Sequence, residues 1–468
     1  MPRARLTAMA LAGLTALAVL GPAGAPGAAA APVGAGGPTA RAVPAPPPAP
    51  GPATTAGSPR VHRVEAFDEA GGIGRALVPA ASPFAATPRA EAGARADGSA
   101  ARGEAAGDGT VTPIVHNGGT GAKLDVVVIG DGYTAAEQDR FRADAAAKWQ
   151  EITAVEPYAT YRSLFNVWAV DAVSAESGVT GDPDRTTVRT TALGAYFWCE
   201  DVERLLCVDT DAVDRYAALA PQADLVLVVA NSAKYGGAGY NDVVSPLGYS
   251  GIATVAGGNA RSGQIAVHET GHSLGKLADE YFYEDGGAYQ GDEPPEANLT
   301  GLTADRLRRT HTKWYRWLGR TSPDGGTVGA FEGGGYHPLG LYRPTENSIM
   351  RSLGREFNLP GREAMIGGFY RYASVISSDT PAGTVLGRDG RVAVEPATPA
   401  TRLRWFVDGR EVRALSGRTG VQVADLGLTG PRGARHLLTA VATDPTPAVL
   451  DPELRESLTD SLSWQVTR

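Results

Sequence analysis

Continuous apolar runs between turn residues predict a layer of buried strands in the middle of the chain. These runs occupy residues 124–130, 165–173 and 224–230. A run of this kind suits a strand covered on both faces, because every side chain must then avoid water. Two glycine-rich stretches, 236–239 and 251–255, predict a bent strand close to the edge of the same sheet.

Helices are predicted between and after these strands. Thr134 precedes Glu137 by three residues, which is the spacing of a capping box, and the helix it begins should continue to about Ile152. A further helix is predicted to start near Gly263 and to lie on the sheet. The alternation of strands and helices predicts an α/β (α+β) domain over residues 116–380.

The chain changes character after about Pro381. Strand-like runs follow one another at residues 402–407, 420–424 and 436–442. Turn residues at 408–409 and 431–433 separate them. We therefore expect a C-terminal all-β sandwich over residues 381–468, and no cluster of titratable residues in it suggests chemistry.

The amino end has the pattern of a secretory signal peptide. Arg3 and Arg5 precede an apolar core over residues 6–20, and small residues at 28–30 offer a cleavage site. The core is too short to be a membrane anchor. This predicts a signal peptide over residues 1–31, a secreted, extracellular protein, and no membrane span in the mature chain.

The next stretch is poor in large apolar residues. Residues 32–58 are rich in Pro and Ala, which predicts a linker that does not fold alone. A strand is predicted over residues 61–67, and residues 59–115 are interpreted as a small N-terminal region or a pro-segment.

Charge and cysteine content restrict the function further. The formal net charge of −8 argues against a nucleic-acid partner. The chain has 2 cysteines, Cys199 and Cys207, and in an oxidising compartment they are expected to form a disulfide.

The residues that carry chemistry are His268, Glu269 and His272, in the stretch HETGH. Two histidines four residues apart project from one face of a helix and can bind a single metal ion. The glutamate beside them can act as the general base that takes a proton from a water acidified by zinc. The sequence therefore predicts one catalytic Zn²⁺.

The middle of the chain resembles the IgA-peptidase family of secreted zinc metallopeptidases, which is metzincin-like. The resemblance is carried by residues 124–134, 165–168, 174–178, 268–281 and 346–351. It implies a zinc peptidase domain with a twisted mixed sheet, an active-site helix, and a cleft in which substrate pairs with the edge strand. It also implies that Met350 lies in a turn beneath the metal.

The third metal ligand is expected soon after the helix. Gly275 can adopt the left-handed conformation that ends a helix, so that a later side chain returns to the metal. In metzincins the ligand usually lies three residues after this glycine, and that position is Ala278 here. We predict Asp279 as the ligand, with Glu280 as an outer-shell residue or the alternative ligand.

The function predicted is metal-assisted hydrolysis of a protein or peptide substrate. The alternatives are an exported binding or adhesion protein with a structural metal, and hydrolysis of a non-peptide amide. The acidic, aromatic segment at residues 281–296 is interpreted as a solvated loop, the rim of a cleft, or a Ca²⁺ loop. The sequence does not indicate an oligomeric state.

Overall fold

A computed structural model describes residues 60–68, 70–86 and 107–468. The predicted signal peptide (1–31) and linker (32–58) lie outside these described residues. None of the helices in the described part of the chain is long and apolar enough to cross a membrane.

Strands from the first half of the described chain form one eight-stranded mixed sheet. They are β1 (Val61–Phe67), β2 (Ile73–Pro79), β3 (Val111–Val115), β4 (Leu124–Asp131), β5 (Phe165–Val170), β6 (Leu225–Ala230), β7 (Gly237–Gly239) and β8 (Ile252–Ala256). Their order across the sheet is β2-β1-β7-β8-β6-β4-β5-β3. The central strands β8, β6, β4 and β5 run parallel, whereas β7 is antiparallel to β8 and β3 to β5.

Helices cover both faces of this sheet. They are α1 (Gln138–Ile152), α2 (Thr210–Ala217) and α3 (Gly263–Ser273). Along β4, Val126 and Val128 join the apolar cluster of α1 and α3, while Val127 and Ile129 join that of α2. Successive side chains of a strand point to opposite faces, so a continuous apolar run is what a doubly covered strand requires.

Most of the predicted elements are confirmed here. The capping box of Thr134 and Glu137 is present, α1 ends at Ile152, and α3 begins at Gly263. The strand predicted over residues 61–67 is β1. The strand predicted over 165–173 is shorter, because β5 ends at Val170.

The glycine-rich segment forms two strands instead of one bent strand. β7 and β8 pair with each other, and β7 is separated from the edge of the sheet by β1 and β2. The residues before position 116 therefore contribute strands to the same sheet as the residues after it.

A second group of elements follows α3. It contains α4 (Ala304–Thr310), the hairpin of β9 (Phe331–Gly334) and β10 (His337–Arg343), and α5 (Leu359–Tyr372). Asn358 caps α5 by accepting a hydrogen bond from the Gly361 amide. Trp314 and Trp317 are buried beside α4.

Short and long strands make up the C-terminal part. They are β11 (Ile376–Ser377), β12 (Val385–Leu386), β13 (Arg391–Ala393), β14 (Glu395–Pro396), β15 (Arg402–Val407), β16 (Arg410–Glu411), β17 (Gly420–Gln422), β18 (Arg435–Thr443) and β19 (Thr459–Thr467), with α6 (Pro452–Ser457) before the last. Among the described residues, β12, β19, β18, β15 and β16 form a five-stranded sheet, and β11–β14 and β13–β17 form small pairs. The predicted run at 420–424 is a strand only as far as Gln422.

The C-terminal sheet packs on the α1 and α3 side of the large sheet. Its buried Trp405 and Trp464 belong to the same apolar cluster as Val126 of β4. A polar contact joins the two parts as well, because Asp444 accepts hydrogen bonds from the hydroxyls of Tyr161 (2.8 Å) and Tyr370 (2.9 Å).

Candidate metal centre

Helix α3 places its two histidines against the end of the large sheet. Ile265, Ala266 and Val267 are buried in the apolar cluster between the helix and the sheet. His268 is fully buried, and the side chain of His272 is 11% exposed and lines a cavity of about 730 Å³. The spacing of four residues thus directs both imidazoles to the same place, as predicted.

The backbone fixes the orientation of both rings. Nδ1 of His268 donates to the carbonyl of Ile349 (2.9 Å), and Nδ1 of His272 donates to the carbonyl of Leu277 (2.7 Å). A carbonyl oxygen can only accept, so each Nδ1 carries the proton. Nε2 of each ring is therefore free to bind a metal, and the two Nε2 atoms lie 3.1 Å apart.

Asp279 reaches the histidines through an irregular turn. Helix α3 ends at Ser273, and the left-handed residue after it is Lys276 (φ 50), not Gly275 as the sequence suggested. Gly275 is needed for a different reason, since a Cβ there would lie 2.7 Å from the sulfur of Met365. The left-handed residue thus comes one position later than expected. The ligand position shifts by one residue in the same direction, from Ala278 to Asp279.

The Asp279 carboxylate faces both imidazoles. Its Oδ1 lies 3.3 Å from Nε2 of His268 and 3.4 Å from Nε2 of His272. Oδ2 accepts a hydrogen bond from the hydroxyl of Tyr336, whereas the buried Oδ1 accepts no hydrogen bond from the described residues. Burial by itself raises the pKa of Asp279, but the two imidazoles outweigh it and hold that pKa well below its ordinary value.

A fourth group comes from β1. Glu65 is 4% exposed, and its Oε2 lies 3.0 Å from Nε2 of His268 and 3.8 Å from Nε2 of His272. Burial lowers the pKa of His268, yet the carboxylates of Asp279 and Glu65 raise it to about 10. Glu65 was not among the residues that the sequence singled out.

These four side chains fit a metal ion. Glu65, His268, His272 and Asp279 each offer one ligand atom, and these atoms all lie within 4.8 Å of one another. A tetrahedral zinc ion with bonds of about 2.0–2.1 Å would hold its donors about 3.3–3.4 Å apart. The two Nε2 atoms lie 3.0 to 3.8 Å from each other and from the two carboxylate oxygens, which agrees with that spacing.

The charges of the site are compatible with a cation. Within the described residues, the buried carboxylates of Glu65, Glu269 and Asp279 surround two imidazoles. Burial lowers the pKa of both histidines, but the carboxylates of Asp279 and Glu65 raise it above its ordinary value, so protonated imidazoles compensate them when no metal is bound. A divalent ion among the donors would replace those protons, so the geometry supports a metal at this position and the charges allow it.

Glu269 lies beside this group, against the backbone of β7. A Cβ added to Gly239 would lie 1.8 Å from the Glu269 carboxyl carbon, so the strand accommodates that carboxyl only because residue 239 is glycine. Both oxygens of Glu269 are buried and without a hydrogen-bond partner among the described residues. Burial and the nearby charge of Glu65 raise the pKa of Glu269 to about 8.

Glu280 is held away from the imidazoles. Its carboxylate accepts hydrogen bonds from Ser348 (2.7 Å), Asn358 (2.9 Å) and Asn298 (3.0 Å). It thereby ties the segment after α3 to the segment before α5. Of the two positions suggested by the sequence, the structure places Asp279 at the histidines and Glu280 in this buried network.

Met350 lies next to α3. Its sulfur would be 2.6 Å from a Cβ at Gly271, one residue before His272, so the methionine packs directly against the helix. The neighbouring carbonyl of Ile349 is the one that orients His268. The turn predicted to lie near the metal thus contacts the histidine helix.

The cavity beside His272 is lined by parts of the chain that are distant in sequence. Arg63 and Glu65 come from β1, and Tyr289 and Glu296 come from the segment 281–296. That segment therefore forms part of the rim of a cleft. Its alternative interpretation as a Ca²⁺ loop stays a prediction.

The cysteines belong to the apolar cluster of α2, on the other face of the large sheet from α3. Cys199 and Cys207 are buried and joined by a disulfide, with their Cα atoms 6.0 Å apart. This prediction is confirmed.

One of the residues that the sequence analysis missed has a weak signal in the sequence. Glu65 is a carboxylate between apolar neighbours, Val64, Ala66 and Phe67, in a predicted strand. A charged side chain that is buried in this way needs a partner. Gly239 and Tyr336 give no such signal. Their roles depend on the side chains that the fold brings to them.

The mixed sheet, the histidine helix and the buried carboxylates define a mixed α/β protein with a candidate metal-binding centre. The model of the family described as IgA Peptidase M64 matches residues 112–324 and 320–369, which together exceed half of the chain. The chain belongs to this family, and it is therefore a peptidase. A search among curated proteins found no match.

Proposed function

We propose that the chain is a secreted, zinc-dependent metalloendopeptidase with Glu269 as general base. The observation that carries this proposal is the joint position of His268, His272 and Asp279, with the unpaired Glu269 carboxyl beside them. A bound zinc ion would act as a Lewis acid, lowering the pKa of water and polarising the scissile carbonyl. The ligand set of two histidines and one carboxylate is one that catalytic zinc sites use.

The residues of the chain have separate tasks in this proposal. His268 and His272 present Nε2 because backbone carbonyls hold their Nδ1 protons. Asp279 presents Oδ1 while Tyr336 holds its other oxygen. Glu269 accepts the proton of the attacking water and returns it to the leaving amine, and a raised pKa suits a group that must both take and give a proton near neutral pH. Met350 packs beneath the site, as in a metzincin-like arrangement.

The competing function is an exported binding or adhesion protein with a structural metal. Glu65 favours this reading, because with it four protein side chains surround the site, and closed four-ligand sites are usually structural. Glu269 favours the peptidase. A structural site needs no buried carboxyl that is unpaired and placed next to its ligands.

The test is Glu269→Gln, which preserves shape but cannot accept the proton. We expect it to retain zinc and to lose hydrolysis of a proteome-derived peptide library by about 10²- to 10⁴-fold. Zinc is measured by metal analysis and cleavage by mass spectrometry, with chelator-treated protein as the blank. The comparison is repeated in the Glu65→Ala background. If Glu65 takes the metal position that water needs, activity becomes measurable only when this side chain is removed. Activity in Glu269→Gln close to that of the parent would contradict the base assignment.

Secretion and the domain organisation belong to the same proposal. They comprise a signal peptide over 1–31, a linker over 32–58, an N-terminal region or pro-segment over 59–115, a catalytic domain over 116–380 and a β-sandwich over 381–468. The disulfide supports secretion, since such bonds persist in oxidising compartments.

A further inference from the structure

Strand β1 occupies the position that an extended substrate would need. It pairs antiparallel with β7, with Glu65 opposite Gly239. Without β1 and β2, β7 would be the edge of the sheet beside the histidine helix. Peptides commonly bind to such an edge as an added strand, with main-chain hydrogen bonds along it.

The side chains of β1 alternate as those of a bound peptide would. Val61, Arg63 and Glu65 line the cavity that also contains His272 and Asp279. Val64, between them, points away and is buried in the cluster on the opposite face of the sheet. The strand therefore places every second side chain along the cleft and brings one of them, Glu65, to the metal ligands.

The contacts that hold β1 and β2 in place surround the site. The Phe67 ring meets the His268 ring edge-on, with centroids 5.5 Å apart. Asp242 accepts hydrogen bonds from Nδ1 of His62 (3.0 Å) and the amide of Arg63 (2.9 Å). On β2, the Arg75 guanidinium lies 3.9 Å from the centroid of the Tyr336 ring, whose hydroxyl holds Asp279.

We propose that β1 is an internal occupant of the substrate cleft and that Glu65, as a fourth metal ligand, keeps this form of the peptidase latent. The inference rests on the proposed function, because a cleft has a substrate position only if the chain cleaves peptides. A catalytic zinc site needs one position free for water, and Glu65 takes it. Release of β1 from β7 opens that position and the strand edge together.

The test uses the full chain loaded with Co²⁺ and the small chelating probe acetohydroxamate, whose binding changes the visible absorption of cobalt. The apparent affinity of a probe falls in proportion to the fraction of open molecules. If about nine molecules in ten are closed, Glu65→Ala should bind the probe about tenfold more tightly than the parent. Glu65→Gln, nearly equal in shape, should shift the affinity in the same direction and covers the case in which Glu65→Ala does not fold.

Val188→Thr is the control. It changes a side chain that is 58% exposed and lies outside both β1 and the lining of the cavity, so its probe affinity should equal that of the parent. Hydrolysis of the peptide library should rise in Glu65→Ala and not in Val188→Thr.

The outcomes separate the two proposals. Equal probe affinity in the parent and both Glu65 variants would overturn latency and leave the peptidase proposal standing. Tighter probe binding without hydrolysis in any variant would leave Glu65 as a ligand of a structural metal, which overturns both latency and the proposed function. A parent that binds no Co²⁺ would also overturn both.

Discussion

The position of the proposed general base, Glu269, depends on the absence of a side chain at residue 239. The Glu269 carboxyl occupies the space that a Cβ of residue 239 would fill. The added methyl group of an alanine would therefore displace the carboxyl from the site, while the proposed metal ligands on α3 and at Asp279 would keep their own contacts.

We expect Gly239→Ala to lose about 10²-fold or more in kcat/KM and to retain its zinc, because a misplaced base no longer takes the proton. Peptide cleavage and metal analysis measure the two effects. Gly119→Ala is the control, since a Cβ there meets nothing within 4 Å. Full activity in Gly239→Ala would show that Glu269 can act from another position.

The adjacent acids Asp279 and Glu280 should respond to mutation in different ways. Asp279→Ala removes an oxygen that faces both imidazoles, so zinc occupancy and activity should fall together. Glu280→Ala should keep most of the zinc but lose about 2–4 kcal/mol of unfolding free energy, because Ser348, Asn298 and Asn358 lose a buried acceptor. Metal analysis and urea unfolding distinguish these results. Full zinc occupancy in Asp279→Ala would place the third ligand elsewhere.

At the scale of elements, the two ends of α3 are determined in different ways. The start of α3 at Gly263 depends on the conformational preferences of neighbouring residues. The position of the Asp279 carboxylate depends on the conformation of the turn after Ser273. Lys276 adopts the left-handed conformation there, and Gly275 is reserved for close contact with Met365. A glycine in sequence thus marks either a backbone conformation or a close contact, and only the fold distinguishes them.

The disulfide stabilises an irregular segment between β5 and α2. The closed loop is short, with a separation of 8 residues, so the double variant Cys199→Ala/Cys207→Ala should lose about 2–3 kcal/mol of unfolding free energy. Urea unfolding measures this loss. Mass spectrometry of the unreduced secreted protein should show the two peptides linked. Complete alkylation of both thiols without reductant would contradict the bond.

At the scale of the whole molecule, Asp444 connects the C-terminal sheet to the peptidase part. Its carboxylate accepts the hydroxyls of Tyr161 and Tyr370, and all three side chains are buried. Asp444→Ala should therefore lower the free energy of unfolding by about 2–4 kcal/mol, because both hydroxyls lose their acceptor. The exposed Asp425→Ala is the control and should change it by less than about 0.5 kcal/mol. A urea transition of Asp444→Ala that coincides with the parent's would show that the contact is dispensable.

The sequence by itself determined the features that arise from short-range patterns. The apolar run of β4 required a strand covered on both faces, and the capping box at Thr134 fixed the start of the first helical segment. The spacing of His268 and His272 required one face of one helix. Each of these depends on the geometry of a single element, which neighbouring residues specify.

The tertiary structure alone decided which distant groups meet at the candidate metal centre. Glu65 is 203 residues from His268, and only the pairing of β1 with β7 brings them together. The same holds for Tyr336 at Asp279 and for Gly239 at Glu269. Periodicity reports which face of an element is buried, but it does not report which strand lies beside it. The physical reason is that strand pairing is chosen by packing and hydrogen bonding across the whole sheet.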